Sequence, residues 1–139
     1  MAAAMSDYLR QALLNHLFRD TPFTPPATIA LALCTGPVLD TDTGDLTGKE
    51  VTGGGYDRVS IGRGDAIWTD GIVTMNVGPI VFPTATGNWS GPIGYLAIVD
   101  NTDIGSGNLL FYGTLTQPKT ITVDDMFVLN ASQLSVALT

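Results

Sequence analysis

Thr28-Ile29-Ala30-Leu31-Ala32-Leu33-Cys34 alternates large and small side chains without a break. A strand sends successive side chains to opposite faces. Ile29, Leu31 and Leu33 therefore share one face, and Ala30, Ala32 and Cys34 share the other. The first is a bulky core face. The second must be covered closely or lie against backbone, because both faces of this strand are apolar. Gly36-Pro37 ends the run,.

Toward the C-terminus, residues 37–55 carry Asp40, Asp42 and Asp45, then Gly48, Gly53, Gly54 and Gly55. A loop of this length in a small domain is expected to be functional or mobile. Short strand patterns follow at near-regular spacing: 56–61, 66–68, 72–77, 80–82, 93–99, 109–114, 119–123, 126–129 and 134–138. Turn signals separate them, among them Gly62-Arg63-Gly64-Asp65, Asp70-Gly71, Gly78-Pro79 and Gln117-Pro118,. No second helical pattern interrupts the series, which argues against βαβ units. The expected fold is mainly β: a single antiparallel β-sandwich, jelly-roll-like, of about eight strands with one N-terminal amphipathic α-helix. The expected organisation is one domain over residues 1–139. It comprises a helix at 6–19 and a sandwich at 28–139 with a long acidic loop at about 37–55.

Toward the N-terminus, Ser6 is a good N-cap and Asp7 sits where the helix dipole favours an anion,. Leu9, Leu13 and Leu17 recur at every fourth position; Ala12 and Leu14 broaden the stripe and Phe18 closes it,. Pro22, Pro25 and Pro26 stop the helix near Arg19-Asp20,. The stripe packs either on its own sheet or on a neighbouring subunit. The second reading makes Leu9, Leu13, Leu17 and Phe18 the candidate assembly interface.

Six Lys+Arg stand against thirteen Asp+Glu, for a net charge of −7. Charged residues make up 14% of the chain, against about 25% in a typical soluble protein. The acid balance argues against nucleic acid as a partner. No apolar run reaches the ~20 residues that span a bilayer. The first ten residues lack the basic leader and apolar core of a signal peptide, so folding in the cytoplasm of the producing cell is expected. One Cys excludes an internal disulfide framework, and one His excludes most zinc sites,. Cys34 reads as a buried small hydrophobe.

The search for chemistry returns no catalytic, cofactor-binding or metal-binding residues. Asp40-Thr41-Asp42-Thr43-Gly44-Asp45 departs from a calcium loop, with Gly fifth and Val51 at the twelfth place where Glu is needed,. Gly53-Gly54-Gly55 and Gly62-Arg63-Gly64 lack the phosphate-loop pattern and read as turns or bulges,. Asp124-Asp125 reads as a turn rather than a paired acid and base,. His16 reads as a boundary residue. Trp68, Trp89, Tyr95, Phe111 and Tyr112 read first as core and second as a platform for a glycan or a partner,.

Two regions carry a resemblance. One is Tyr8-Leu9-Arg10-Gln11-Ala12-Leu13-Leu14-Asn15-His16-Leu17-Phe18 with Thr24-Pro25-Pro26-Ala27-Thr28-Ile29-Ala30-Leu31-Ala32-Leu33 behind it. The other is Glu50-Val51-Thr52-Gly53-Gly54-Gly55-Tyr56-Asp57-Arg58 with the later Gly107-Asn108-Leu109-Leu110-Phe111-Tyr112-Gly113-Thr114-Leu115-Thr116. Together they resemble a family of small virion proteins of tailed bacteriophages, often labelled tail-fibre or virion proteins. The resemblance implies a virion structural protein without catalysis, made in the host cytoplasm. Small size and low charge then favour a capsid decoration (cement) protein. Its partners would be the major capsid protein and copies of itself, as a homo-oligomer with a trimer favoured. The alternative is a tail or fibre-base component, with exposed loop aromatics such as Trp89 forming a glycan-binding surface. A glycan hydrolase is the third reading.

Overall fold

The computed structural model describes residues 2–138. Nine strands and one helix follow in chain order among them. β1 (Ala2–Met5) leads into α1 (Asp7–Phe18). β2 (Ala30–Cys34), β3 (Val59–Ser60), β4 (Val73–Met75) and β5 (Ile80–Val81) come next. β6 (Ile93–Val99), β7 (Leu109–Lys119), β8 (Val128–Leu129) and β9 (Ser135–Ala137) complete the series. Seven strands form one curled sheet in the order β3-β2-β6-β7-β1-β9-β4, and β5 and β8 form a small sheet of their own.

The mainly β character and the N-terminal helix are as the sequence leads one to expect. The jelly-roll sandwich is not what forms. β1 runs parallel to β9, pairing Ala2 with Ser135 and Ala3 with Val136, so the large sheet is mixed. The second layer is two short strands rather than a full sheet. Two further expectations change. Residues 119–123 form no strand of their own, because β7 runs on through Gln117-Pro118 to Lys119, where it meets Ile93 past an irregularity. Residues 66–68 make a turn that touches Asn76 through Trp68 alone.

Packing follows from the alternation in β2, which is buried on both faces. Leu31 and Leu33 join Leu96, Ile98 and Leu110 in the larger core. The small sheet covers it with Ile80, Phe82, Phe127 and Leu129, and the Phe82 and Phe127 rings meet edge to face at 5.5 Å. Ala30, Ala32 and Cys34 lie with Ala97, Val99 and Leu109 on the opposite face. Val38 and Leu46 of the acidic loop cover that face. The loop is thus a packed lid, not a mobile excursion. Fully burying a side chain such as Leu46 contributes about 1.5–3 kcal/mol.

Ser6 joins α1 to the sheet. Its N–H donates to the Leu110 carbonyl at 2.9 Å and its hydroxyl to the Leu109 carbonyl, while the same oxygen caps the Leu9 N–H at 3.2 Å. A comparable buried joint forms at Asn76. Its Nδ2 donates to the carbonyls of Gly78 (2.8 Å) and Asn130 (2.9 Å), and its Oδ1 accepts from the Leu134 N–H (3.0 Å).

Candidate functional site

The Glu50–Arg58 motif folds into a buried polar centre where three loops meet. Arg58 donates through Nε (2.9 Å) and Nη2 (2.7 Å) to the two carboxylate oxygens of Glu50. Nη2 also reaches the Gly44 carbonyl at 2.7 Å. Nη1 is shared among the carbonyls of Asn101 (3.1 Å), Asp103 (2.9 Å) and Ser106 (2.9 Å). The Tyr56 hydroxyl donates to Glu50 at 2.7 Å and accepts from the Leu33 N–H at 3.1 Å. The Arg58 side chain is fully enclosed and that of Glu50 nearly so.

Charge and burial act in opposite directions here. Burial pulls Arg58 down, but the bond to Glu50 and its charge hold the guanidinium above its ordinary range. Burial, with the Glu50 charge and bond behind it, lifts the Tyr56 phenol well above its usual value. Burial and the Glu50 charge push the Cys34 thiol up to about 12. Arg58, Tyr56 and Cys34 are each held in one protonation state at neutral pH; Arg58 and Cys34 are closed to solvent and Tyr56 is half-buried. Their chemistry is the fixing of loops.

Gly53 and Gly54 make the motif possible. A Cβ on Gly53 would stand 2.6 Å from Trp89 Cα, and one on Gly54 would stand 2.6 Å from the Gly87 nitrogen. This close approach lets Trp89 donate from Nε1 to the Gly54 carbonyl at 2.8 Å and pack edge-on to Tyr56 at 5.3 Å. Trp89 is buried. The expected exposed platform at Trp89 is therefore absent, because the glycines let a polar-looking loop fold down onto the core.

The acidic loop is tied within the chain. Asp42 accepts from Lys49 at 2.6 Å, Asp40 from Arg10 at 3.2 Å, and Asp45 from the Thr47 N–H and hydroxyl. Partial burial raises Asp42, but the Lys49 and Leu39 hydrogen bonds and the Lys49 charge outweigh it and hold the carboxyl below its usual range. The Thr47 bonds do the same for Asp45. Asp124 adopts a left-handed backbone (φ 72°), and Asp125 accepts from the Thr122 N–H and hydroxyl, so the pair builds a turn.

The structure divides the four helix residues. Leu9 is buried in the larger core and Leu13 packs against it, half-buried. Leu17 (69% exposed) and Phe18 (79% exposed) overhang the body, with Leu14 beside them. His16 ties the helix to the returning chain, its Nδ1 accepting from the Phe23 N–H at 3.0 Å.

Sequence reasoning missed an apolar groove at one end of the large-residue face. Ile29, Trp68, Ile98, Leu110, Phe111 and Val136 line a cavity of about 280 Å³ there. No signal in the sequence pointed to it, because the expected sandwich would have covered these strand residues, whereas the β5–β8 layer is too short to do so.

A small mainly-β protein whose polar centre fixes loops, and which leaves large apolar side chains such as Leu17, Phe18 and Ile72 exposed, has the character of a structural component. A family profile described as Podophage GP4 fiber I protein gp80 matches residues 4–137, and the chain belongs to that family of phage virion structural proteins. No curated protein matches the chain. Among the described residues no helix is long and apolar enough to cross a membrane.

Proposed function

We propose that the chain is a non-enzymatic structural subunit of the phage tail-fibre apparatus. In this reading its partners are copies of itself, a trimer being a simple closed arrangement, and a neighbouring virion protein. The observation that carries the proposal is the family match across residues 4–137 to a fibre protein. The Glu50–Arg58 centre supports it, since its buried groups are committed to holding loops. The exposed end of α1 supplies apolar surface for assembly.

Immunogold labelling of intact virions with antibody to the chain tests the location. Label at the tail, in numbers matching tail symmetry, is the expected result. Label spread over the head faces would overturn it in favour of capsid decoration on the major capsid protein. The low charge content and net charge of −7 keep that second reading in play. A head lattice that loses heat resistance without the chain would mark it.

A further inference from the structure

Two apolar surfaces of opposite shape lie uncovered on this chain. Leu14, Leu17 and Phe18 stand three and four residues apart and so lie side by side on the last turns of α1,. They form a knob. The groove lined by Ile29, Trp68, Ile98 and Phe111 is its concave counterpart. A second hollow of about 240 Å³ shares Thr74, Phe111 and Val136 with it and continues to Ile72 and Leu138, both highly exposed. The result is one continuous apolar trough.

Charge decides what fits it. Arg63 stands on the wall of the trough, where its guanidinium reaches the Pro26 carbonyl at 3.4 Å. Asp20 is exposed and comes two residues after Phe18, where a left-handed backbone (φ 55°) turns the chain away from the helix and its C-cap Arg19. The knob is thus followed by a cation and then an anion, Arg19 and Asp20, and the trough carries the cation Arg63 with the exposed anion Asp65 beside it, so the two rims can pair in opposite order. We propose that the trough of one copy receives the Leu17-Phe18 knob of a second copy, with Asp20 approaching Arg63. A Phe ring buries about 150–250 Å² and serves as the anchor. Leu14, Ile72 and Leu138 extend the contact toward the ~800 Å² per partner of a standard interface. The contact is head to tail, so every pair leaves one knob and one trough free. It closes as a ring or continues as a filament.

The proposal deepens the structural-subunit reading, yet its test is separate. Virion labelling reports where the chain sits, and sedimentation of the purified chain reports whether copies meet this way. The wild-type chain should form species larger than dimers as concentration rises. Phe18→Asp should weaken association roughly 30-fold or more, the effect of losing an anchor residue. Thr74→Trp, which fills the trough, should do the same. An equimolar mixture of the two variants should give dimers and nothing larger, since one intact knob then meets one intact trough. Circular dichroism checks that each variant folds; should Thr74→Trp fail, Arg63→Asp takes its place. A monomeric wild type, a Phe18→Asp chain that associates like wild type, or a mixture of folded variants that stays monomeric would each overturn the proposal.

Discussion

Arg58 grips Glu50 with two parallel hydrogen bonds of 2.9 and 2.7 Å, and the pair is shut away from solvent. Glu50 is the only glutamate in the chain. Removing one partner of such a pair leaves an uncompensated buried charge and costs about 3–5 kcal/mol. Arg58→Ala should therefore lower stability by that order in urea unfolding. Arg58→Lys should recover little, because an ammonium cannot reproduce the planar fork. Glu50→Leu with Arg58→Met should cost less than the sum of the two single changes.

The two ends of α1 should respond differently. Leu9→Ala empties a core site and should cost about 2–5 kcal/mol,. Leu17→Ala should stay within about 0.5 kcal/mol in the isolated chain, because its side chain overhangs the body,. Thermal unfolding of the two variants side by side checks this.

Close backbone approach should separate glycines that look alike in sequence. Gly54→Ala forces a Cβ to 2.6 Å from the Gly87 nitrogen and should loosen the Trp89 loop. Gly78→Ala meets nothing within 4 Å and should be neutral or slightly stabilising,. The red shift of Trp fluorescence on heating should begin earlier only in the first variant.

The Cys34 thiol, pushed up to about 12, is almost wholly protonated at pH 8. A thiolate fraction of roughly one in ten thousand, behind a closed core, leaves little nucleophile. Ellman's reagent should not react with the native chain on the minutes scale and should titrate one thiol once guanidinium unfolds it.

Acid should weaken the fold in a defined direction. Asp42, Asp45 and Asp125 all sit below their ordinary value of 3.8, held by Lys49, Thr47 and Thr122 respectively. A depressed carboxyl adds stability that is fully present above its unfolded value and is lost as pH falls through the folded one. Urea midpoints should hold from pH 7 to about 5 and fall below about 4. Asp42→Asn should flatten part of that fall.

Much of this architecture could be read from residue pattern, and the exceptions have physical causes. β2 and Ile93–Val99 announced themselves through β-branched and alternating side chains. β1 did not, because alanine and methionine carry little strand preference and only pairing with β7 and β9 makes them a strand,. The loop over the small-residue face looked open because its acids are conspicuous, whereas Val38 and Leu46 decide its position. Arg58 was invisible as a core residue, since a lone arginine in a turn-rich stretch defaults to the surface. The helix stripe was legible in full, but nothing in its spacing told where the body would end beneath it.

The place of β1 between β7 and β9 also bears on time. Ala2 pairs with Ser135, so β1 waits for β9, far later in the chain, before the sheet can be joined. At roughly 5–20 residues per second that wait is on the order of ten seconds. Until then the edge of β1 that faces β9 stays unpaired, while its other edge can already meet β7. The large sheet therefore closes only once β9 has been made, and copies made together on one message each carry an open strand edge while they wait.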